Sequence, residues 1–216
     1  MLLQAPVHSI EGGFMLNWLI HVQRCFNQTL AHFDFLAPLA LRLYLFPVFW
    51  FAGTNKLQDF SAVVEWFGNS DWGLGLPFPL LMASLAVCAE VIGSVLLLLG
   101  LATRWASIPL MITMLVAALG VHRQNGWQSI HDLMSPWSNA AAPEAIEALN
   151  LLQQQLESYP AYQTLQEHGS LVVLNNGIEW AVTYFIMLLA LLFLGGGRYV
   201  SIDDWIQRKL FQNAKY

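Results

Sequence analysis

Long apolar stretches dominate the pattern of hydrophobic and polar positions along this chain. Four of them lie at residues 35–54, 74–103, 105–121 and 180–197, and the only charged side chains within them are Arg42 and Glu90. A helix needs roughly 20 apolar residues to cross the hydrocarbon core of a bilayer. The pattern therefore predicts an all-α fold: an integral membrane four-helix bundle with spans over about residues 35–56, 76–101, 105–122 and 179–197.

Two further segments border the predicted membrane domain, residues 35–199. Residues 14–33 mix large apolar side chains such as Trp18 and Phe26 with polar ones such as Arg24. That mixture is typical of a helix lying in the membrane interface. We therefore expect an N-terminal interfacial segment over residues 1–34 and a cytoplasmic tail over residues 200–216.

The connection between the third and fourth spans, residues 123–178, is long for a loop within a helical bundle. Pro143-Glu144 marks a helix start, because proline fits the first helical position and an acid favours the first turn. Tyr159-Pro160 ends this helix. We therefore expect a long, partly helical outer loop, whose helix carries one apolar stripe at Ile146, Leu149, Leu152 and Leu156.

The composition supports a membrane environment. Hydrophobic residues make up 56% of the 216 positions and charged residues 11%, whereas a soluble domain is typically about 25% charged. The net charge is −5 without a basic patch, so no nucleic-acid partner is predicted. Cys25 and Cys88 form no Cys-x-x-Cys motif, which argues against a disulfide framework or a thiol-exchange enzyme.

The basic residues predict how the chain is oriented. Cytoplasmic loops are enriched in Lys and Arg. Lys56 and Arg123 flank the spans on one side, whereas the other side carries Arg24, Arg104, Arg198, Arg208, Lys209 and Lys215. This asymmetry predicts that both termini are cytoplasmic. We expect the membrane to be a bacterial inner membrane.

Arg42 and Glu90 are expected to face the bundle interior, because a charge at the bilayer centre costs at least about 2.5–3.5 kcal/mol. Arg42 shares a helical stripe with Phe49, Gly53 and Lys56. Counting the rise from the cytoplasmic ends puts Arg42 and Glu90 within about two turns in depth, which a long arginine can bridge. Two interpretations stay open: a structural ion pair that locks the first two helices, or a polar lining for a substrate or proton path.

A second polar cluster is predicted at the outer interface, where Lys56, His122, Arg123, Asn125 and Glu179 border the spans. Snorkelling of the long basic side chains explains part of it. Snorkelling explains less well why the Glu179 carboxylate and the His122 imidazole lie at matching depth. Such a pair can relay protons or hydrogen-bond a carbonyl headgroup. We expect His122, Glu179 and Glu90 as catalytic groups, and Arg42, Lys56, Arg123 and Asn125 as substrate-binding groups.

The sequence gives no basis for a resident metal or flavin. His122, His131 and His168 are residues that copper or zinc would use, but their spacing provides no helical i, i+4 pair. A lone loop histidine is more often solvated, so no metal site is predicted. The chain contains no haem, flavin or iron–sulfur signature, so any electron carrier is expected to be diffusible, such as a quinone, or to belong to a partner.

Several motifs together resemble the DoxX family over about residues 36–126. The resemblance lies in Leu41-Arg42 with Phe51-x-Gly53-x-x-Lys56, in Ala89-Glu90-x-x-Gly93-Ser94 with Gly100-Leu101-x-Thr103-Arg104, and in Val121-His122-x-x-Asn125-Gly126. The long outer loop and residues 174–179 and 195–199 resemble a subgroup that accompanies maturation of copper-binding, ribosomally made peptides.

The resemblance implies a four-helix membrane subunit associated with oxidoreductases, in a family linked to quinone-coupled oxidation of sulfur compounds and to oxidative-stress complexes. Five residues of this chain fall on positions of the family motifs: Arg42, Lys56, Glu90, Arg104 and His122. Glu179 and the outer loop depart from the shortest family members, so the resemblance does not by itself assign the family role to the loop.

The leading functional hypothesis is a redox-accessory subunit that meets a quinone or exchanges electrons with partner proteins encoded in the same operon. One alternative is a non-catalytic membrane scaffold for a copper-binding peptide maturation complex. Another is a small transporter, which would require a homo-oligomer because four helices are few and no inverted repeat is apparent. The lipid bilayer is a partner under each hypothesis.

Overall fold

The computed structural model describes residues 8–212, and its regular secondary structure is helical apart from one antiparallel β-bridge between Ile130 and Leu174. The all-α prediction is confirmed for these residues. Residues 1–7 of the predicted N-terminal segment and 213–216 of the predicted tail, with Lys215, lie outside them. The helices are α1 His8–His32, α2 Leu36–Gln58, α3 Phe60–Gly68, α4 Pro79–Leu99, α5 Thr103–Val116, α6 Ala142–Leu156, α7 Pro160–His168, α8 Glu179–Leu194 and α9 Ile202–Gln212.

Three helical stretches in the described part of the chain are long and apolar enough to cross a membrane: Leu36–Gln58, Pro79–Leu99 and Thr103–Asn125. The third comprises α5, a π-helical segment Ala117–His122 and a 3-10 turn Arg123–Asn125. The chain is therefore an integral membrane protein. Helix α8 is also apolar but has 16 residues, which makes it about 24 Å long.

Helices α2, α4, α5 and α8 pack around one apolar core. Small residues allow the close approach of α2 and α4. A Cβ added to Gly53 of α2 would lie 2.7 Å from Val91 Cγ2 and 3.0 Å from the Cβ of Glu90 on α4. The core side chains are Leu45 and Phe49 from α2, Leu97 from α4, Ala106 and Leu110 from α5, and Leu188 and Leu191 from α8.

The two ends of this helix cluster differ. The turn end holds the short α4–α5 connection at Gly100–Ala102 and residues 195–201 between α8 and α9. The loop end holds residues 117–131 and 173–179, from which the long connection carrying α6 and α7 extends. Helices α4 and α8 run toward the turn end, so the segments that follow them lie there. Helix α5 runs away from the turn end, so the residues after it lie at the loop end.

The long connection contains α6 and α7, and α6 starts with Pro143 and Glu144 in its first turn. Helices α3, α7 and α9 were not predicted. Each of α3 and α7 has nine residues, too few for a clear apolar period. Short helices of this kind depend on capping and tertiary contacts, as where the Asp59 carboxylate accepts a hydrogen bond from Ala62 N at the start of α3.

Candidate functional site

Lys56 and Glu90 form an ion pair between α2 and α4. The Lys56 Nζ lies 2.8 Å from Oε1 and 2.7 Å from Oε2 of Glu90. Glu90 has 5% of its side chain exposed and Lys56 has 30%. Lys56 lies one turn beyond Gly53 on the same face of α2, so the close helix approach at Gly53 brings the ammonium within reach of the carboxylate.

The ammonium of Lys56 has donor capacity left after this pairing. A protonated lysine carries three N–H donors, and the two hydrogen bonds to Glu90 are the only ones that Lys56 Nζ makes with the described residues. Ionised groups within membrane spans are costly and usually pair with one another along substrate or proton pathways. The Lys56–Glu90 pair is therefore the first candidate for a polar site within the hydrocarbon region.

Arg42 does not contact Glu90, so the hypothesis of an Arg42–Glu90 ion pair is wrong. The Arg42 side chain is buried and donates to backbone carbonyls at the turn end: Leu97 at 2.6 Å, Leu98 at 2.8 Å, Gly196 at 2.6 Å and Val200 at 3.3 Å. The last carbonyls of a helix lack partners within the helix. Arg42 lies near the start of α2 beside the end of α4, so these carbonyls are its nearest acceptors.

At the loop end, His122 and Asn125 converge on one backbone carbonyl. Nδ1 of His122 lies 2.9 Å from the carbonyl oxygen of Asn176, and Nδ2 of Asn125 donates to the same oxygen at 3.1 Å. The 2.9 Å contact means that Nδ1 carries the proton in this arrangement, since a carbonyl only accepts. The other ring nitrogen, Nε2, has no hydrogen-bond partner among the described residues.

Glu179, also at the loop end, contacts residues 127–129 rather than Asn176. Its Oε2 accepts a hydrogen bond from Ser129 N at 2.9 Å, and its own backbone N–H donates to the Trp127 carbonyl at 3.0 Å. Residues 126–131 and 173–179 run alongside each other through further backbone hydrogen bonds, including Gly177 N to Gln128 O at 2.9 Å. Glu179 therefore fixes the start of α8 to the end of the α5 stretch.

Asparagine side chains reinforce this junction. Asn175 Nδ2 donates to the carbonyls of Asn125 and Gln128, and Asn139 Nδ2 donates to Asn125 O and to Asn175 Oδ1, both at 3.2 Å. Gly177 is required here, because an added Cβ would lie 2.3 Å from Gln128 O. The junction thus depends on residues about 50 positions apart in sequence.

Three buried polar atoms at the junction have no hydrogen-bond partner among the described residues: Gln128 Oε1, Ser129 Oγ and His131 Nδ1. Gln128 is 4% exposed and Ser129 is 1% exposed. Buried polar atoms normally have a partner. The loop end therefore contains polar groups that the rest of the described chain leaves unsatisfied.

The structure brings the predicted site residues together only in part. It pairs Lys56 with Glu90, and it joins His122 to Asn125 through the Asn176 carbonyl. No hydrogen bond or ion pair within residues 8–212 links Lys56 to His122 or to Glu179. Arg123 is exposed and makes no side-chain hydrogen bond to a described residue. Gln128, Ser129 and Asn175 were not predicted as site residues, because nothing in the apolar pattern shows that residues 126–131 and 173–179 lie side by side.

Comparison with known proteins relates the sequence of this chain to a family of membrane proteins. The DoxX family profile matches residues 37–123, which include Arg42, Lys56, Glu90 and His122. Inner membrane protein YphA of Escherichia coli (strain K12) is 31% identical over 124 residues, covering 52% of this chain and 84% of that protein. No solved structure matches the chain significantly.

Proposed function

Because this chain belongs to the DoxX family, we propose that it is a redox-accessory membrane subunit whose Lys56–Glu90 pair receives a quinone headgroup. One observation carries this proposal. Lys56 keeps an N–H donor free after pairing with the buried Glu90 carboxylate, and its side chain is 30% exposed. A carbonyl oxygen of a quinone is an acceptor that matches this donor within the membrane.

The pair has the chemistry that such a site needs. Reduction of a quinone takes up protons together with electrons, and oxidation of a quinol releases both. An ammonium and a carboxylate in direct contact can deliver and recover a proton beside the carbonyl. The electrons would come from, or pass to, a protein partner, since the described side chains of the pair do acid–base chemistry only.

His122 and Glu179 act at the loop end in this account. The free Nε2 of His122 lies at the end of the α5 stretch, and Glu179 begins α8. We propose that they exchange protons with the outer solution, with Arg123 and Asn125 bordering the entrance. The unsatisfied Ser129 Oγ and Gln128 Oε1 support a polar route through this junction.

The proposed setting is a bacterial inner membrane, which is where the relative YphA, an inner membrane protein, is found. Helix α8 would complete a four-span bundle, since it shares the core with α2, α4 and α5. Its 16 residues extend about 24 Å as a helix, and the adjoining residues 195–197 are uncharged. The Lys and Arg asymmetry supports cytoplasmic termini, with the turn end inside.

Quinone binding to the purified chain tests the proposal. The full chain is reconstituted in lipid nanodiscs and titrated calorimetrically with a short-chain ubiquinone. We expect saturable binding that weakens roughly tenfold or more in Glu90→Gln, because the ammonium then loses its charged partner. The control Glu65→Gln changes an exposed acid on α3 and should bind as the unsubstituted chain does. Absence of saturable binding to that chain would remove the proposal.

A scaffold role remains the alternative prediction, and the same variants separate it from the redox role. A scaffold needs its fold and surface rather than its buried pair. Partner proteins would then co-purify equally with the unsubstituted chain and with folded Glu90→Gln, and quinone-dependent turnover would be missing in both. The copper-peptide context and the transporter stay predictions that vesicle flux and partner identification would test.

A further inference from the structure

A polar pocket of about 300 Å³ lies at the turn end, between the start of α5, the end of α8 and α9. Its wall includes the guanidinium-bearing Arg104 and Arg198, the backbone of Gly195–Gly197 and the side chain of Gln207. Trp105 and Leu194, which border it, are 76% and 54% exposed. The pocket thus joins a charged wall to an apolar rim at one end of the membrane helices.

Arg104 is held in the pocket wall without a protein partner. It forms no ion pair or hydrogen bond with the residues that the structure describes. Gly195 has φ +77°, and an added Cβ there would lie 3.2 Å from Arg104 Nε. The guanidinium therefore rests against the backbone that ends α8, and a side chain at Gly195 would displace it.

Arg198 supplies a second cation. It donates one hydrogen bond of 3.2 Å to the exposed Asp34, and this bond raises the pKa of the guanidinium above its ordinary value. An arginine has five N–H donors, so this single contact leaves most of them free. An exposed ion pair of this kind contributes little to stability because solvent screens it, so an anion can compete with Asp34 for the guanidinium.

The two acids of the pocket wall already have partners. Asp203 accepts hydrogen bonds from Ala102 N at 2.7 Å and Thr103 N at 3.0 Å, which caps the start of α5. Asp204 accepts from Tyr199 N at 2.9 Å and pairs with Arg208 at 2.8 Å. Of the charged side chains in the pocket wall, Arg104 alone has no ion-pair or hydrogen-bond partner among the described residues.

We propose that this pocket binds the headgroup phosphate of an anionic phospholipid, with Arg104 and Arg198 as its ligands. Guanidinium groups bind phosphate through paired, charge-assisted hydrogen bonds, and basic pockets between membrane helices recognise anionic headgroups. The exposed Trp105 and Leu194 provide an apolar path for the acyl chains. A free phosphate ion would use the guanidinium groups but not this apolar rim.

One second observation lies beside the pocket. The Thr103 hydroxyl is fully buried and has no hydrogen-bond partner among the described residues. It lies next to Gly196, where an added Cβ would be 2.9 Å from Thr103 Oγ1. A side chain at Gly196 would push the pocket wall away from the Thr103 hydroxyl, which has no hydrogen-bond partner among the described residues.

Native mass spectrometry of the full chain tests the proposal. Protein is released from nanodiscs that contain equal parts of phosphatidylglycerol and phosphatidylcholine, and the retained lipids are counted. We expect the chain to retain phosphatidylglycerol preferentially. Arg104→Gln should reduce that preference roughly tenfold, since a charged hydrogen-bonding partner is lost, and Arg104→Lys should reduce it less. Arg24→Gln, which removes the same charge from exposed α1, should retain it.

Two results would overturn the proposal. The first is equal retention of the two lipids by the unsubstituted chain, or an unchanged preference in Arg104→Gln that elutes as a folded protein. The second concerns the source of the phosphate. If millimolar inorganic phosphate raises the melting temperature in pure phosphatidylcholine as much as phosphatidylglycerol does, the ligand is a free anion and not a lipid.

Discussion

The Nε of Arg42 donates a 2.6 Å hydrogen bond to the carbonyl oxygen of Leu97, which lies in the last turn of α4. Carbonyls at a helix C-terminus lack partners within the helix, and a cation there is favoured by the helix dipole. The same guanidinium also donates to Gly196 after α8. Arg42 of α2 therefore caps α4 and ties it to the segment that follows α8.

Replacing Arg42 should destabilise the bundle. Arg42→Met leaves buried carbonyls without their donor, so we expect the free energy of unfolding to fall by about 2–4 kcal/mol. For a chain of this size that lowers the melting temperature in detergent by roughly 4 °C or more. The matched Arg24→Met on exposed α1 should change stability by less than about 0.5 kcal/mol. Equal melting of the two variants would show that the capping bonds contribute nothing.

Asp203 should stabilise the start of α5. Its carboxylate accepts hydrogen bonds from Ala102 N and Thr103 N, and caps of this kind contribute about 0.5–2 kcal/mol. Asp203→Ala should therefore lower the melting temperature, whereas Asp203→Asn, which can still accept one bond, should lower it less. Thermal unfolding in one detergent measures both. The ranking fails if the asparagine variant melts below the alanine variant.

Gly177 should control the junction at the loop end. A Cβ there would meet three backbone oxygens at 2.3–2.7 Å, those of Gln128, Trp127 and Gly126. Gly177→Ala must therefore separate the two segments, and hydrogen exchange of the backbone amides at residues 126–131 should become faster. At Gly120 the nearest atom is a Leu74 side-chain carbon at 3.2 Å, which can move. Gly120→Ala is thus the control, and unchanged exchange in both variants would contradict the account.

The apolar pattern predicted the helices well because lipid imposes a strong rule on sequence. Hydrocarbon solvates no backbone polar groups, so long apolar helices are required, and α2, α4, the α5 stretch and α8 begin and end within about one turn of the predicted spans. The stripe that places Arg42, Phe49 and Gly53 on one face is confirmed, since all three are buried. Helical periodicity was enough for these features.

The pairing of the charges was not predictable in the same way. Sequence gives the face of each residue but not how far one helix is shifted along its neighbour. Arg42 and Lys56 lie on the same stripe, and the shift between α2 and α4 decides which of them meets Glu90. The close contact at Gly53 places Lys56 there. Asp203 and Gly177 likewise act on partners roughly 100 and 50 residues away.

The Lys56–Glu90 pair is expected to serve binding rather than folding. Removing one member leaves an uncompensated charge, so Lys56→Met alone should destabilise the bundle by about 3–5 kcal/mol. The double variant Lys56→Met with Glu90→Gln carries no charge at this position. It should therefore recover most of the lost stability, because buried ion pairs and neutral replacements are often nearly equal in free energy.

Calorimetric titration of that double variant with a short-chain ubiquinone, in nanodiscs and beside the unsubstituted chain, is the most direct measurement. We expect a folded double variant that no longer binds the quinone. A folded double variant that binds it as tightly as the unsubstituted chain would contradict the assignment of Lys56 and Glu90 as the headgroup site.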